Sequence, residues 1–105
     1  MIRIAEYVTA QGKSPFGEWL VKIPAAHAIR VTEALYRMEQ GNLGDHKAVG
    51  EGVYERRIFG SPALRVYFAK DGKELVILLA GGGKNTQSKD IKRAQTLWAR
   101  YKEEK

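Results

Sequence analysis

The sequence contains no cysteine, which excludes a disulfide framework, an iron-sulfur cluster and a cysteine-ligated zinc site. Histidine is almost as scarce. His27 and His46 are the only two, too few for a histidine metal centre, so neither a metal nor another cofactor is expected. Long apolar runs are also missing: the longest, Leu75 to Ala80, falls far short of the roughly 20 residues that span a bilayer. The N-terminus lacks the basic-then-apolar layout of a signal peptide. A cytoplasmic protein with no membrane partner is the expectation. A length of 105 residues allows one domain, residues 1–105, with a single modest core.

Charge is present and unevenly distributed. Residues 1–52 carry six Lys/Arg against six Asp/Glu, whereas residues 53–105 carry twelve against six, so the whole net charge of +6 belongs to the second half. A basic field confined to part of a small domain suits a polyanionic partner, because Lys and Arg contacts to phosphate release condensed counterions. A solvated basic surface explains the same numbers equally well.

Hydrophobic spacing divides the chain into seven elements. Residues 2–8 open with the alternation of a short strand. Ser14 is placed to cap a helix with Pro15 at its first position, and Phe16, Trp19, Leu20 and Ile23 follow at helical spacing until Pro24. A second helix is predicted over residues 25–40, with Ala28, Val31, Leu35 and Met38 on one side, completing a helical hairpin. The glycine-rich, charged stretch from Gly41 to Gly52 reads as a loop. Three strands follow, Val53–Phe59, Leu64–Lys70 and Glu74–Gly81, and their short separators require an antiparallel meander. Leu75 to Ala80 is apolar on both faces, which predicts the central strand. Ser88 can then cap a last helix, with Asp90 in its first turn and Ile91, Ala94, Leu97, Trp98 and Tyr101 on one face; residues 102–105 are expected to fray. The fold class is α+β, in the order β-α-α-β-β-β-α. The helical hairpin and the C-terminal helix pack on an antiparallel-rich sheet. There are no repeats and no linkers.

Alternation puts Leu64, Val66 and Phe68 on the core face of their strand and Arg65 and Tyr67 on the other, where Arg57 and Glu55 join them. Arginines beside an aromatic can hold a phosphate and stack a base; on a one-sided sheet they can equally be ordinary polar residues paired with Glu55. Gly81-Gly82-Gly83-Lys84-Asn85 fails the Walker pattern twice, since Leu78 replaces its first glycine and Asn85 its Ser/Thr. It remains either a bend that lets backbone approach a ligand or a plain strand-to-helix turn. His27 reads as a helix-surface residue, His46 as a loop residue next to Lys47, and Trp19, Trp98 and Tyr101 as core.

These residues resemble a known family. The element order, the stretches Gly52-Val53-Tyr54-Glu55-Arg56-Arg57-Ile58 and Leu64-Arg65-Val66-Tyr67-Phe68, and the run from Leu78 to Tyr101 are similar to the HigB-like addiction module killer branch of the RelE/ParE toxins. The similarity covers nearly the whole chain. It implies a RelE-like fold, akin to small microbial ribonucleases, and the toxin of a type II toxin-antitoxin system. It implies an mRNA interferase that cuts translated messages in the ribosomal A site and so inhibits translation. It further implies a cognate antitoxin from the adjacent gene, often a helix-turn-helix protein, with operator DNA contacted only through the complex.

Carried over by position, the resemblance makes Arg57, Arg65 and Lys84 the catalytic residues, and Lys47, His46, Arg56, Tyr67, Gln87 and Asp90 the RNA-binding set. Arg56 stands where relatives usually have leucine, and alternation points it toward the core. The implied chemistry is metal-independent endoribonuclease action through the RNA's 2′-hydroxyl, leaving a 2′,3′-cyclic phosphate, with Arg65 stabilising the phosphorane and Lys84 and Arg57 holding flanking phosphates. No acid and base pair is evident; Lys47, His46 or Tyr67 could move protons. Two rivals are a ParE-like DNA gyrase poison without nuclease activity, and a non-catalytic module that binds antitoxin or nucleic acid.

Overall fold

Ser14 opens the first helix as its position before proline predicts. In the computed structural model, which describes residues Met1–Lys105, its hydroxyl oxygen accepts the Gly17 N–H at 2.9 Å and donates to Glu6 at 2.5 Å. The helices are α1 (Pro15–Lys22), α2 (Ala25–Glu39) and α3 (Gln87–Glu104), and the strands are β1 (Arg3–Glu6), β2 (His46–Ala48), β3 (Val53–Ile58), β4 (Leu64–Asp71) and β5 (Leu75–Gly82). A 3₁₀ turn, Lys84–Thr86, leads into α3.

The strands form one sheet in the order β1-β5-β4-β3-β2. All pairings are antiparallel except β1 with β5. Two expectations are corrected here. The 41–52 stretch contains a strand, β2, so the order is β-α-α-β-β-β-β-α; Gly50, Glu51 and Gly52 all have positive φ and turn β2 back onto β3. The middle place belongs to β4 rather than β5. Both are buried on both faces, β5 because it is apolar throughout and β4 because its polar side chains meet partners within the fold.

The sheet is covered on both sides. One face holds Ile58, Leu64, Val66, Phe68, Val76 and Leu78 against Phe16, Val31, Ala34 and Met38 of the helical hairpin. The other holds Val53, Tyr67, Ala69, Ile77, Leu79 and Ala80 against Ala94, Leu97 and Trp98 of α3. Each fully buried aliphatic side chain contributes about 1.5–3 kcal/mol relative to exposure. The face carrying Arg65 and Tyr67 is therefore no open surface: α3 lies across it, and both residues are buried. Alternation fixes which side chains share a face, and only packing decides what covers that face.

Two further departures concern α3. It starts at Gln87 with Thr86 at the cap position, so Ser88 lies inside its first turn. Its end is tied to the rest of the fold: Glu104 accepts a hydrogen bond from Tyr7 at 3.0 Å, and the Lys105 ammonium meets Asp71 at 2.5 Å.

Candidate nucleic-acid interface

β3 and β4 pair with Glu55 opposite Tyr67 and Arg57 opposite Arg65. Directly opposed residues point to the same side of a sheet, so these four side chains share the α3 face. β2 adds Lys47, which pairs with Glu55, and α3 adds Gln87 from its first residue.

Glu55 is the hub. It is 3 % exposed, and its Oε2 accepts from the Gln87 amide at 2.8 Å and the Tyr67 hydroxyl at 3.2 Å. The Lys47 ammonium stands 3.9 Å from Oε1. A buried carboxylate is stable only when hydrogen-bonded and compensated by positive charge, and three elements, β2, β4 and α3, converge on β3 to provide this. Tyr67 answers to the same surroundings: burial, followed by the Glu55 charge and hydrogen bond, pushes its hydroxyl well above the usual phenol range, so it remains a donor.

Arg65 is incompletely satisfied. Its side chain is 9 % exposed and its Nε lies 3.7 Å from Glu55 Oε2, near enough for attraction and too far for a hydrogen bond. Nε and Nη1 are both buried without a hydrogen-bond partner. Buried guanidinium N–H groups left unmade cost about 1–3 kcal/mol or more, and their fork geometry matches two oxygens of a phosphate or carboxylate. On the other side of Glu55, among Asp45, His46, Lys47 and Arg57, a hollow of about 20 Å³ opens, large enough for one water molecule.

The remaining candidates divide by face. Arg57 is exposed and tied to Asp45 at 3.0 Å through its Nε. Lys84 projects from the exposed 3₁₀ turn. Asp90 accepts from the Thr86 hydroxyl at 2.5 Å and fills the space above Gly82, a local structural role. His46 and Arg56 are opposed to each other in the β2–β3 ladder and belong to the hairpin side. His46 packs toward Tyr54 and Phe68. Arg56 is buried beneath Gly44, and its Nη1 donates to the Arg57 carbonyl at 3.1 Å. Burial, and then the neighbouring Arg37, hold its pKa below the usual guanidinium value. The structure thus gathers Arg65, Tyr67, Lys47 and Gln87, keeps Arg57 on the same face, and turns the Arg56 side chain and the His46 ring to the other, although His46 also borders the hollow beside Lys47.

Glu55 is the residue that sequence reasoning underrated. Its place on the arginine face is visible from alternation, but its burial depends on Gln87, which lies 32 positions away. The glycines before Lys84 also serve packing more than ligand approach. A Cβ on Gly81 would fall 2.1 Å from the Trp19 ring, and one on Gly82 would strike Asp90; only Gly83 faces open space.

Residues 18–102 match the family model described as phage derived protein Gp49-like (DUF891). A Haemophilus influenzae protein described as uncharacterized is 42% identical over 83 residues, covering 78% of this chain and 84% of that protein. No helix is long and apolar enough to cross a membrane.

Proposed function

The chain belongs to the Gp49-like family, a toxin-antitoxin-associated family of RelE-like toxins, and from that premise we propose that it is a HigB-like mRNA interferase acting on translated messages. Its partner is a cognate antitoxin from the neighbouring gene, which contacts operator DNA within the complex. The observation that carries this reading is the Arg65 guanidinium, buried with two unpartnered N–H groups beside the buried Glu55 carboxylate. It is an anion receptor set next to a proton acceptor, which is what transesterification of RNA requires.

In the reaction the RNA 2′-hydroxyl loses its proton to Glu55, whose Oε1 is left without a hydrogen bond while Oε2 is held by Tyr67 and Gln87. The 2′-oxygen attacks the adjacent phosphorus, and the P–O5′ bond breaks to give a 2′,3′-cyclic phosphate and a 5′-hydroxyl. Arg65 donates to the non-bridging oxygens as negative charge builds on them. Lys47, exposed over 67% of its side chain, brings positive charge and a proton to the departing 5′-oxygen. Arg57 and Lys84 hold the flanking phosphates. The partly preassembled site, with Glu55 and Arg65 buried, fits an enzyme whose substrate is oriented by the ribosome.

The test is 5′-end mapping of translated mRNAs shortly after induction without antitoxin, beside Arg65→Ala. New ends inside reading frames that vanish in the variant are the expected result. Growth arrest with intact messages and inhibited supercoiling would overturn it in favour of a gyrase poison. Arrest unchanged by Arg65→Ala would remove Arg65 from the mechanism.

A further inference from the structure

Phe59 belongs to neither core cluster and is 67% exposed, although it stands at the end of β3 two residues beyond Arg57. The Arg57 guanidinium lies over its ring, 5.1 Å from the centroid. This ring is not carried on a loose turn. Arg30, reaching from α2, donates through Nη2 to the carbonyls of Phe59 at 2.9 Å and Pro62 at 2.8 Å, and a Cβ on Gly60 would collide with the same guanidinium. An aromatic that the fold leaves uncovered yet holds in position costs little ordering to bind with.

We propose that Phe59 and Arg57 form a nucleobase-binding subsite next to the Arg65 centre. Arg57 pairs directly with Arg65 across β3 and β4 and its guanidinium lies over the Phe59 ring, so anion receptor, guanidinium and aromatic ring stand next to one another. That sequence of chemistries matches one nucleotide: a phosphate at Arg65, with the base of the same or the adjoining residue stacked on Phe59 and flanked by Arg57. The ion pair to Asp45 keeps the Arg57 guanidinium in place for this. Phe59 thereby selects the position of the strand relative to the reacting phosphate and belongs to specificity rather than to bond breaking. The subsite rests on the RNA-cleaving reading given above.

The test uses the whole chain and a fluorescein-labelled, 2′-O-methylated single-stranded oligoribonucleotide, which cannot be cleaved, with affinity read by fluorescence anisotropy. Loss of one stacked base corresponds to about tenfold weaker binding, and that is the expectation for Phe59→Ala, with Phe59→Trp restoring the affinity. An oligonucleotide lacking one base should weaken wild-type binding by a similar factor and leave Phe59→Ala unaffected. If wild type and Phe59→Ala bind the RNA equally, the subsite is wrong and the ribonuclease reading stands. If wild type binds none of these RNAs, the subsite is overturned, while the ribonuclease reading is decided by the mapping of mRNA ends.

Discussion

Glu55 and Arg65 face each other from adjacent strands with 3.7 Å between carboxylate oxygen and guanidinium Nε, an attraction without a shared hydrogen bond. Glu55→Gln keeps the shape of the hub and removes its charge. Cleavage in programmed ribosomes should fall at least about a hundredfold for loss of the base. Urea unfolding should register about 1–3 kcal/mol of destabilisation, because Arg65 is left without a counter-charge.

The unmade Arg65 bonds also make an anion a stabilising ligand. Sulfate or phosphate should raise the melting temperature of wild type above that in chloride at equal ionic strength, by the linkage between ligand binding and folding. Arg65→Met should abolish the difference between the anions, and an equal rise in both proteins would assign it to bulk salt effects.

Glu51 is the one non-glycine residue with positive φ, at 57°. A left-handed conformation is costly for an L-residue with a Cβ, so Glu51→Gly should stabilise the β2–β3 turn by about 0.5–1 kcal/mol. Chemical denaturation with an unchanged m-value would measure it.

Gly81→Ala should act in the opposite direction. The added methyl would fall 2.1 Å from the Trp19 ring, and overpacking of this kind costs about 1–3 kcal/mol. The double variant Gly81→Ala, Trp19→Leu should recover part of the loss, which denaturation of the pair would detect.

Asp71 provides the acid-pH prediction. Hydrogen bonds from Lys105 and then Tyr101 hold its carboxyl below the ordinary value of 3.8. A depressed folded-state pKa contributes stability above the unfolded-state value, and that contribution is lost as pH falls through the folded one. Wild type should therefore melt above Asp71→Asn at neutral pH, and the gap should begin to narrow as the pH drops below about 4 and vanish below the folded-state pKa.

The elements with clear periodicity were legible in the sequence: α1 from Ser14-Pro15, β4 from the alternation of Leu64, Val66 and Phe68, and α3 from the stripe through Trp98. β2 was not, because three residues cannot display an alternation and their strand character comes from pairing with β3. The middle of the sheet was misjudged for a related reason. Arg65 and Tyr67 make β4 read as half-exposed, whereas in the fold they are buried in a polar network, and no one-dimensional pattern separates the two cases. For the candidate site, period-two counting put Glu55, Arg57, Arg65 and Tyr67 on one face. The closing contact from Gln87 depends on how α3 docks, which local sequence does not encode.

The parallel pairing of β1 with β5 governs how the protein is made. Arg3 to Glu6 find their partners at Leu75 to Leu78, and Tyr7 waits for Glu104. Contacts so distant along the chain close late and slowly. β1 therefore stays unmatched during synthesis until β5 has followed it. A truncated or stalled product lacks Gln87 and α3, and with them the cover over Glu55. The site is thus finished only once Gln87 and α3 have been added to the strands.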